Sequence, residues 1–455
     1  MSVEPKFVYR EPLKDVYPRV GKFSDEIVKC IKCGLCRAVC PTLIETLSES
    51  QGARGRVSLV EAVLDGRLSL SDIFDERISS CINCKACIDA CPSGVRVDDI
   101  ILAARAELVA RGRLPFFKRL ILRGLLKRGR LLPPVGKLAS LFQRVLLALS
   151  PKGSALRLLL PAVRIDRERR LPVFASRSFR EQVSERIVPE ERKSGLRVAY
   201  FVGCSSNLLY TDVATATVEV LKRLGVEVLV PREQGCCGTP MFNAGDFETA
   251  RDMARANLKA FDASAVDAVI VTCASCGLAL KREYSAILEL DTSGFSEKVM
   301  DASEFIVKKV GVEALRALPL PRDGENEVVT YHDPCHLKRG QGVWEEPRQL
   351  IKSLPGVEFR EMPEADRCCG GGGLYSFTHY EMSMAVAAHK AEAVRETGAR
   401  VVLTSCPSCI MQLRDTLARA GLDVEVSHVM EFLYRRLRAN EAATVLETSI
   451  AQQRV

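Results

Sequence analysis

Eighteen cysteines fall into four groups, and the groups form two matched pairs. In one pair, Cys30, Cys33, Cys36 and Cys40 before Pro41 have the same spacing as Cys81, Cys84, Cys87 and Cys91 before Pro92. In the other, a lone Cys204 stands 32 residues before the adjacent Cys236 and Cys237, and Cys273 and Cys276 begin 36 residues after them. Cys335, Cys368-Cys369 and Cys406 with Cys409 repeat that arrangement at intervals of 33 and 37 residues. Equivalent cysteines are offset by 131 to 133 residues, so the repeat is a whole domain and not a solenoid unit. Neighbouring cysteines followed by glycine are poorly placed to bridge each other, but they put two sulfurs where the backbone can come close. The four groups use every cysteine in the chain, which points to metal clusters.

The spacing C-x2-C-x2-C-x3-C-P is the bacterial ferredoxin run, in which three thiolates surround one 4Fe-4S cube and the fourth reaches its neighbour. Cys30, Cys33, Cys36 and Cys91 are therefore expected to hold one cluster, and Cys81, Cys84, Cys87 and Cys40 the other. A zinc knuckle needs only four cysteines in pairs and leaves the triple spacing without a purpose. Each proline, taken alone, need do no more than turn the chain. His332 and His336 flank Cys335 within reach of cluster sulfur or substrate, and His428 follows the last strand read in the second repeat. Such donors tune potential, although satisfied turn histidines read the same way. His379 and His389 read as surface residues. The run Gly370 to Gly373 lacks the Lys-Ser/Thr ending of a phosphate loop and suits close backbone approach instead. With no nucleotide fingerprint, any flavin must sit on another chain.

An apolar fraction of 47% with 27% charged residues is that of a globular protein. No run of 18 apolar residues could cross a bilayer, and Met1 to Val20 lacks the apolar core of a secretion signal. A cytoplasmic, reducing setting follows, in which the thiols bind metal and do not pair. The net charge of +8 is local: Ala104 to Arg170 carries 17 Lys or Arg against Glu107, Asp166 and Glu168, a net of +14 that leaves −6 for the rest.

The elements that must position these thiols divide the chain into five segments. Residues 1–103 read as a helical two-cluster domain, with an extended arm at Pro5, Pro12 and Pro18, a helix capped by Ser24, and an amphipathic helix over Arg54 to Leu64. Residues 104–195 form a basic connector, where Phe116 to Arg128 can make short helices with one apolar and one basic face. That pattern fits the inner face of the cell membrane, a partner protein or a solvated linker of helices; its few aromatics are not interleaved for nucleic acid. Two α/β segments follow, 196–310 and 325–438, with Lys308 to Glu327 as linker and 439–455 as a tail. Strands are expected at Arg197 to Val202, Val226 to Val230 and Val266 to Val271, then at Val328 to Tyr331, Val357 to Glu361 and Arg400 to Leu403. Helices are expected at Thr211 to Leu224 and Ala244 to Phe261. Each strand ends just ahead of a cysteine, at the carboxyl edge where open α/β sheets bind ligands. The fold class is thus α+β multidomain, with mostly parallel sheets in the duplicated part.

Cys204, Cys236-Cys237-Gly238, Cys273 and Cys276, with the duplicate at Cys335, Cys368-Cys369-Gly370, Cys406 and Cys409, resemble the CCG (cysteine-rich) domains. With two ferredoxin runs, Ala53-Arg54-Gly55-Arg56, Cys91-Pro92-Ser93-Gly94-Val95, Tyr331-His332-Asp333-Pro334-Cys335-His336 and Cys406-Pro407-Ser408-Cys409, the chain from Cys30 to Phe432 resembles the iron-sulfur subunit of glycolate or D-lactate oxidase. It is similar too to the D subunit of heterodisulfide reductase. The first resemblance implies an oxidoreductase subunit that receives electrons from an FAD-binding partner acting on a 2-hydroxy acid and passes them to a membrane cytochrome, a quinone or another acceptor. The second implies thiol-disulfide chemistry at a non-cubane 4Fe-4S cluster held by a five-cysteine set. One or two such clusters would join the two cubanes. Glycolate oxidase subunits often lack the first cysteine of the pairs Cys273-Cys276 and Cys406-Cys409; this chain has both.

Overall fold

The computed structural model describes residues 13–129, 132–149, 169–170, 172–318, 320 and 326–438. The arm at Pro5 and Pro12, residues 150–168 of the connector, Pro319, Pro321 and Asp323-Gly324 of the linker, and the tail lie outside them. Contacts divide the chain into two compact units, 1–119 with Pro240–Phe247, and Leu120–Thr239 with Glu248–Val455. The architecture is α+β: the first unit is helical, and the second holds two mostly parallel sheets.

In the first unit, helices Ala53–Leu64, Asp72–Ser79 and Val97–Ala110 enclose a core of Val57, Val60, Val63, Phe74, Ile78, Ile100, Ile101 and Leu108. Ser24 does not cap its helix: it is the first residue of Ser24–Val28, Phe23 holds the cap position, and Asp25 and Glu26 still occupy the first turn. Arg56 is the largest fully buried side chain of this unit. Its guanidinium donates to the Arg77 carbonyl (2.7 Å), Ser80 Oγ (2.9 Å) and Thr42 Oγ1 (3.1 Å), tying the segment after the first cysteine run and the segment before the second to one helix.

In the second unit the duplication is visible strand by strand. β1 (Arg186–Ile187), β2 (Arg197–Phe201), β3 (Glu227–Leu229), β4 (Ala268–Val271) and β5 (Val299–Asp301) make a sheet of order β1-β3-β2-β4-β5. β6 (Glu327–Tyr331), β7 (Val357–Phe359), β8 (Val401–Thr404) and β9 (Glu425–His428) make one of order β7-β6-β8-β9. All pairings are parallel except β1 on β3. β4 and β8 are buried along their whole length, as strands covered on both faces must be. β1, β5 and β9 are additions to the expected set, because runs of two to four residues give too little alternation to read. His428 therefore does not follow the last strand; it ends β9. The helix expected from Ala244 begins at Phe247, since Gly245 adopts φ +87° and breaks the turn before it. The linker is partly helical, over Ile306–Val310 and Val312–Arg316. Val198, Tyr200 and Val228 of the first repeat share one hydrophobic core with Val329, Tyr331, Val401 and Leu433 of the second.

Asp301 ends β5 and accepts from Ser303 N–H at 2.8 Å, while burial pushes its carboxyl up to about 7. A raised carboxyl keeps its proton in the folded state after the unfolded chain has released it. Its contribution is complete below the ordinary value of 3.8 and is lost as pH rises through about 7. Asp301→Asn, which cannot ionise, is expected to gain on the unaltered protein between pH 5 and 8 by on the order of 1 kcal/mol per pH unit. Urea midpoints at both pH values check this, and a constant difference would count against it. His428, which burial holds down at about 4, slopes the other way in both proteins and cancels in the comparison.

Candidate functional site

The ferredoxin-spaced runs share one backbone shape. Lys32 and Asn83, two residues after the first cysteine of each run, have φ 59° and 62°; Gly34 and Lys85, two further on, have 87° and 62°. Left-handed residues at alternate positions coil the chain so that successive thiols face a common centre. Lys32, Asn83 and Lys85 have a Cβ, so each costs about 1–3 kcal/mol, and strain of this kind collects at functional sites. Cys40, Cys81, Cys84 and Cys87 line one pocket with Thr42, Arg56, Lys85 and Asp98. The Cys87 thiol is raised by burial and then by Cys84, Cys81 and Cys40. Burial also raises Cys36, with Cys30, Cys40 and Cys33 adding to it. Cys91 lies in the following turn, where its sulfur accepts from Val95 N–H at 3.4 Å. Sequence reading missed the Lys85–Asp98 ion pair (2.5 Å, both nearly inaccessible) that closes this pocket. The motif Ala53 to Arg56 acts here too, since Arg54 reaches the Lys32 carbonyl at 3.1 Å.

In the duplicated unit the cysteines stand at the carboxyl ends of the strands. Cys204 lies in the first turn of Gly203–Leu208 after β2, and Cys335 opens Cys335–Gln341 after β6. Cys273 and Cys406 are the N-caps of the helices after β4 and β8, with Cys276 and Cys409 one turn in. Cys236, Cys237, Cys368 and Cys369 are buried in the loops after β3 and β7. Thiols interact in a run from Cys204 through Cys236, Cys237, Cys276 and Cys273 to Cys406, Cys409 and Cys369. The crossing between repeats is the contact of Cys273 with Cys406. Hydrogen bonds from neighbouring thiols hold Cys237, Cys369 and Cys406 well below the usual thiol range, and hydrogen bonding with the same neighbours, joined by burial, raises Cys236, Cys276 and Cys409 well above it. Thiolates are the ligand form, so converging buried sulfurs, several of them poised to ionise, fit iron-sulfur groups.

Polar contacts lock the repeats together around this run. Ser275 Oγ meets His336 Nδ1 at 3.0 Å, and Gln341 donates to the Ala274 carbonyl at 2.9 Å. His428 Nε2 donates to the Thr272 carbonyl at 3.1 Å, while its Nδ1 accepts from Met430 N–H. His336 and His428 are thus satisfied inter-repeat contacts. His332 is buried beside Cys369 and Cys409, their ligand atoms all within 4.8 Å of one another. His389 is exposed, whereas His379 is half-buried and stacked on Tyr375 at 4.7 Å. A Cβ at Gly371 would lie 3.5 Å from Cys369 Sγ, in ordinary contact, so the glycine run borders that thiol. Two further residues were not read from the sequence: Lys390, whose Nζ donates to Glu364 and Ala365 carbonyls, and Arg348, which forks onto Asp333. Only the acid of the His-Asp-Pro-Cys motif hinted at the second.

Comparison with known proteins agrees with this organisation. Residues 26–95 match a 4Fe-4S dicluster domain, and 198–281 and 329–414 match the Cysteine-rich domain. The probable glycolate oxidase iron-sulfur subunit of Bacillus subtilis is 33% identical over 417 residues, 89% of this chain and 92% of that one. The glycolate oxidase iron-sulfur subunit of Escherichia coli is 28% identical over 423 residues, 91% and 95% of the two chains. The D subunit of the dihydromethanophenazine:CoB–CoM heterodisulfide reductase of Methanosarcina acetivorans is 25% identical over 439 residues, 90% and 94%. With its dicluster domain followed by two cysteine-rich domains, the chain belongs to the family of oxidoreductase iron-sulfur subunits that includes the glycolate oxidase subunits.

Proposed function

We propose that this chain is the electron-transferring subunit of a flavin-dependent 2-hydroxy acid dehydrogenase of the glycolate or D-lactate type, working at the inner face of the cell membrane. The observation that carries the reading is the unbroken run of buried and partly buried thiols across the two repeats, meeting at Cys273 and Cys406. Iron-sulfur clusters held there and by the ferredoxin-spaced cysteines would supply one-electron transfer, with potentials set by hydrogen bonding and burial. The protein's own part is to bury the sulfurs, exclude water and hold the two five-cysteine sets side by side. The substrate-oxidising FAD belongs to a partner subunit, and a quinone or membrane cytochrome is the acceptor. Exposed Phe116, Leu120 and Ile121 among basic residues support attachment to an anionic surface. Among the described residues no helix is long and apolar enough to cross a membrane.

A second reading, a heterodisulfide reductase-like thiol-disulfide oxidoreductase, is favoured by one observation: both five-cysteine sets are complete. Anaerobically purified protein distinguishes them by iron count and electron paramagnetic resonance. The first reading expects more iron than the roughly eight atoms that two cubanes need, signals on dithionite reduction, and no response to added disulfides. A signal that arises only on oxidation with a disulfide would overturn it in favour of the second.

A further inference from the structure

The two thiol sites are not copies of each other where it matters for charge. The 131-residue offset from Cys204 to Cys335 sets Phe201 against His332, and the 133-residue offset from Cys273 to Cys406 sets Asn257 against Lys390. The surrounding frame is kept. Tyr200 OH meets Thr272 Oγ1 at 2.7 Å in the first repeat, and Tyr331 OH meets Ser405 Oγ at 3.1 Å in the second.

Within that frame the replaced residues behave differently. Phe201 packs on Phe261, with ring centroids 5.7 Å apart, and offers no polar atom. His332 is 1% exposed, and among the described residues neither ring nitrogen has a nitrogen or oxygen partner for a hydrogen bond. Its ring stands beside the sulfurs of Cys369 and Cys409. Among the described residues its polar partner is the Cys369 thiol, so the imidazole's hydrogen-bonding capacity is directed at the sulfurs of the site. Asn257 in the first site is fully engaged, accepting from Gly235 N–H and donating to the Cys236 carbonyl. Lys390, also 1% exposed, brings an ammonium to the loop that leads into Cys368 and Cys369.

We infer that His332 gives the second site a nitrogen contact that the first lacks, and that together with Lys390 it sets the second site at the higher reduction potential, so that electrons entering the pair settle there. This rests on the reading that both cysteine sets hold iron. Polar and positive contacts stabilise the more negative, reduced form of a cluster and raise its potential.

The test uses the full chain labelled with ¹⁵N at histidine only. Hyperfine spectroscopy of the paramagnetic protein is expected to show a ¹⁵N-histidine coupling that disappears in His332→Phe, the variant that reproduces residue 201. In redox titration the same variant should lower the midpoint of one signal by about 59 mV or more, tenfold in a one-electron equilibrium, and leave the others in place. Absence of the coupling in unaltered protein would overturn the inference without recourse to any variant, as would a coupling or midpoint unchanged by His332→Phe. An iron count that accounts for the ferredoxin-spaced cysteines alone would remove the underlying reading as well, and is recognised before any coupling is sought.

Discussion

Arg348→Ala is expected to destabilise the second repeat by about 3–5 kcal/mol. Arg348 forks onto Asp333, Nη1 to Oδ1 at 2.8 Å and Nη2 to Oδ2 at 2.7 Å, and its Nε and Nη2 reach Glu361 at 2.8 and 2.7 Å. Asp333 is 1% exposed, so losing the guanidinium strands a carboxylate where water cannot reach it. Truncating one member of a buried pair costs far more than the pair itself contributes, because the remaining charge keeps its full desolvation penalty. The damage falls on the site because Asp333 precedes Pro334 and Cys335. Arg348→Lys keeps the charge but not the fork and should be intermediate; the double change Arg348→Met with Asp333→Leu should recover most of the loss. Denaturation midpoints measure this directly. A loss below about 1 kcal/mol would mean that the pair is solvated as surface bridges are.

The second large effect is a contrast between equivalent glycines. Gly238 and Gly370 follow the paired cysteines with φ +84° and +80°, where an L side chain costs about 1–2 kcal/mol. A Cβ at Gly238 would lie 3.5 Å from the Ala250 carbonyl oxygen, ordinary contact, so Gly238→Ala should cost the conformational strain alone. At Gly370 the Cβ would fall on the Ser383 carbonyl oxygen, against which the loop is already fastened by Ser383 Oγ donating to the Gly370 carbonyl at 2.8 Å. Gly370→Ala must push the Cys368-Cys369 loop off helix Tyr380–Thr397, at a total of about 2–5 kcal/mol. Stability and bound iron should therefore fall more in Gly370→Ala than in Gly238→Ala. Equal losses would show that the two loops are seated alike.

Much of this was legible beforehand because cysteine spacing and strand-end placement are local or periodic signals. The repeat offset, the carboxyl-edge position of the thiols and the helix over residues 53–64 needed only that. The meeting of Cys273 with Cys406 was not legible: each belongs to its own repeat, and only the packing of one repeat on the other brings them together. Lys390 gave no signal either, since it looks like any lysine on a helix until burial removes it from water. The short strands β5 and β9 escaped for want of length, and with them the true station of His428. At Ser24 propensity pointed one residue away from the cap, a discrepancy that fraying of helix ends makes common.

The hydrophobic core common to the two repeats also bears on how the chain has been able to change since its duplication. A freshly copied domain can be lost or can drift freely only while each copy folds by itself. Once Tyr200 and Tyr331, Val228 and Val401 pack into one interior, a change in either copy is felt by both, and neither can be shed. At the thiol sites, inside that joint frame, the copies have parted, with Phe201 against His332 and Asn257 against Lys390. Two ancestral equals have become an unequal couple whose joint frame permits specialisation but not separation.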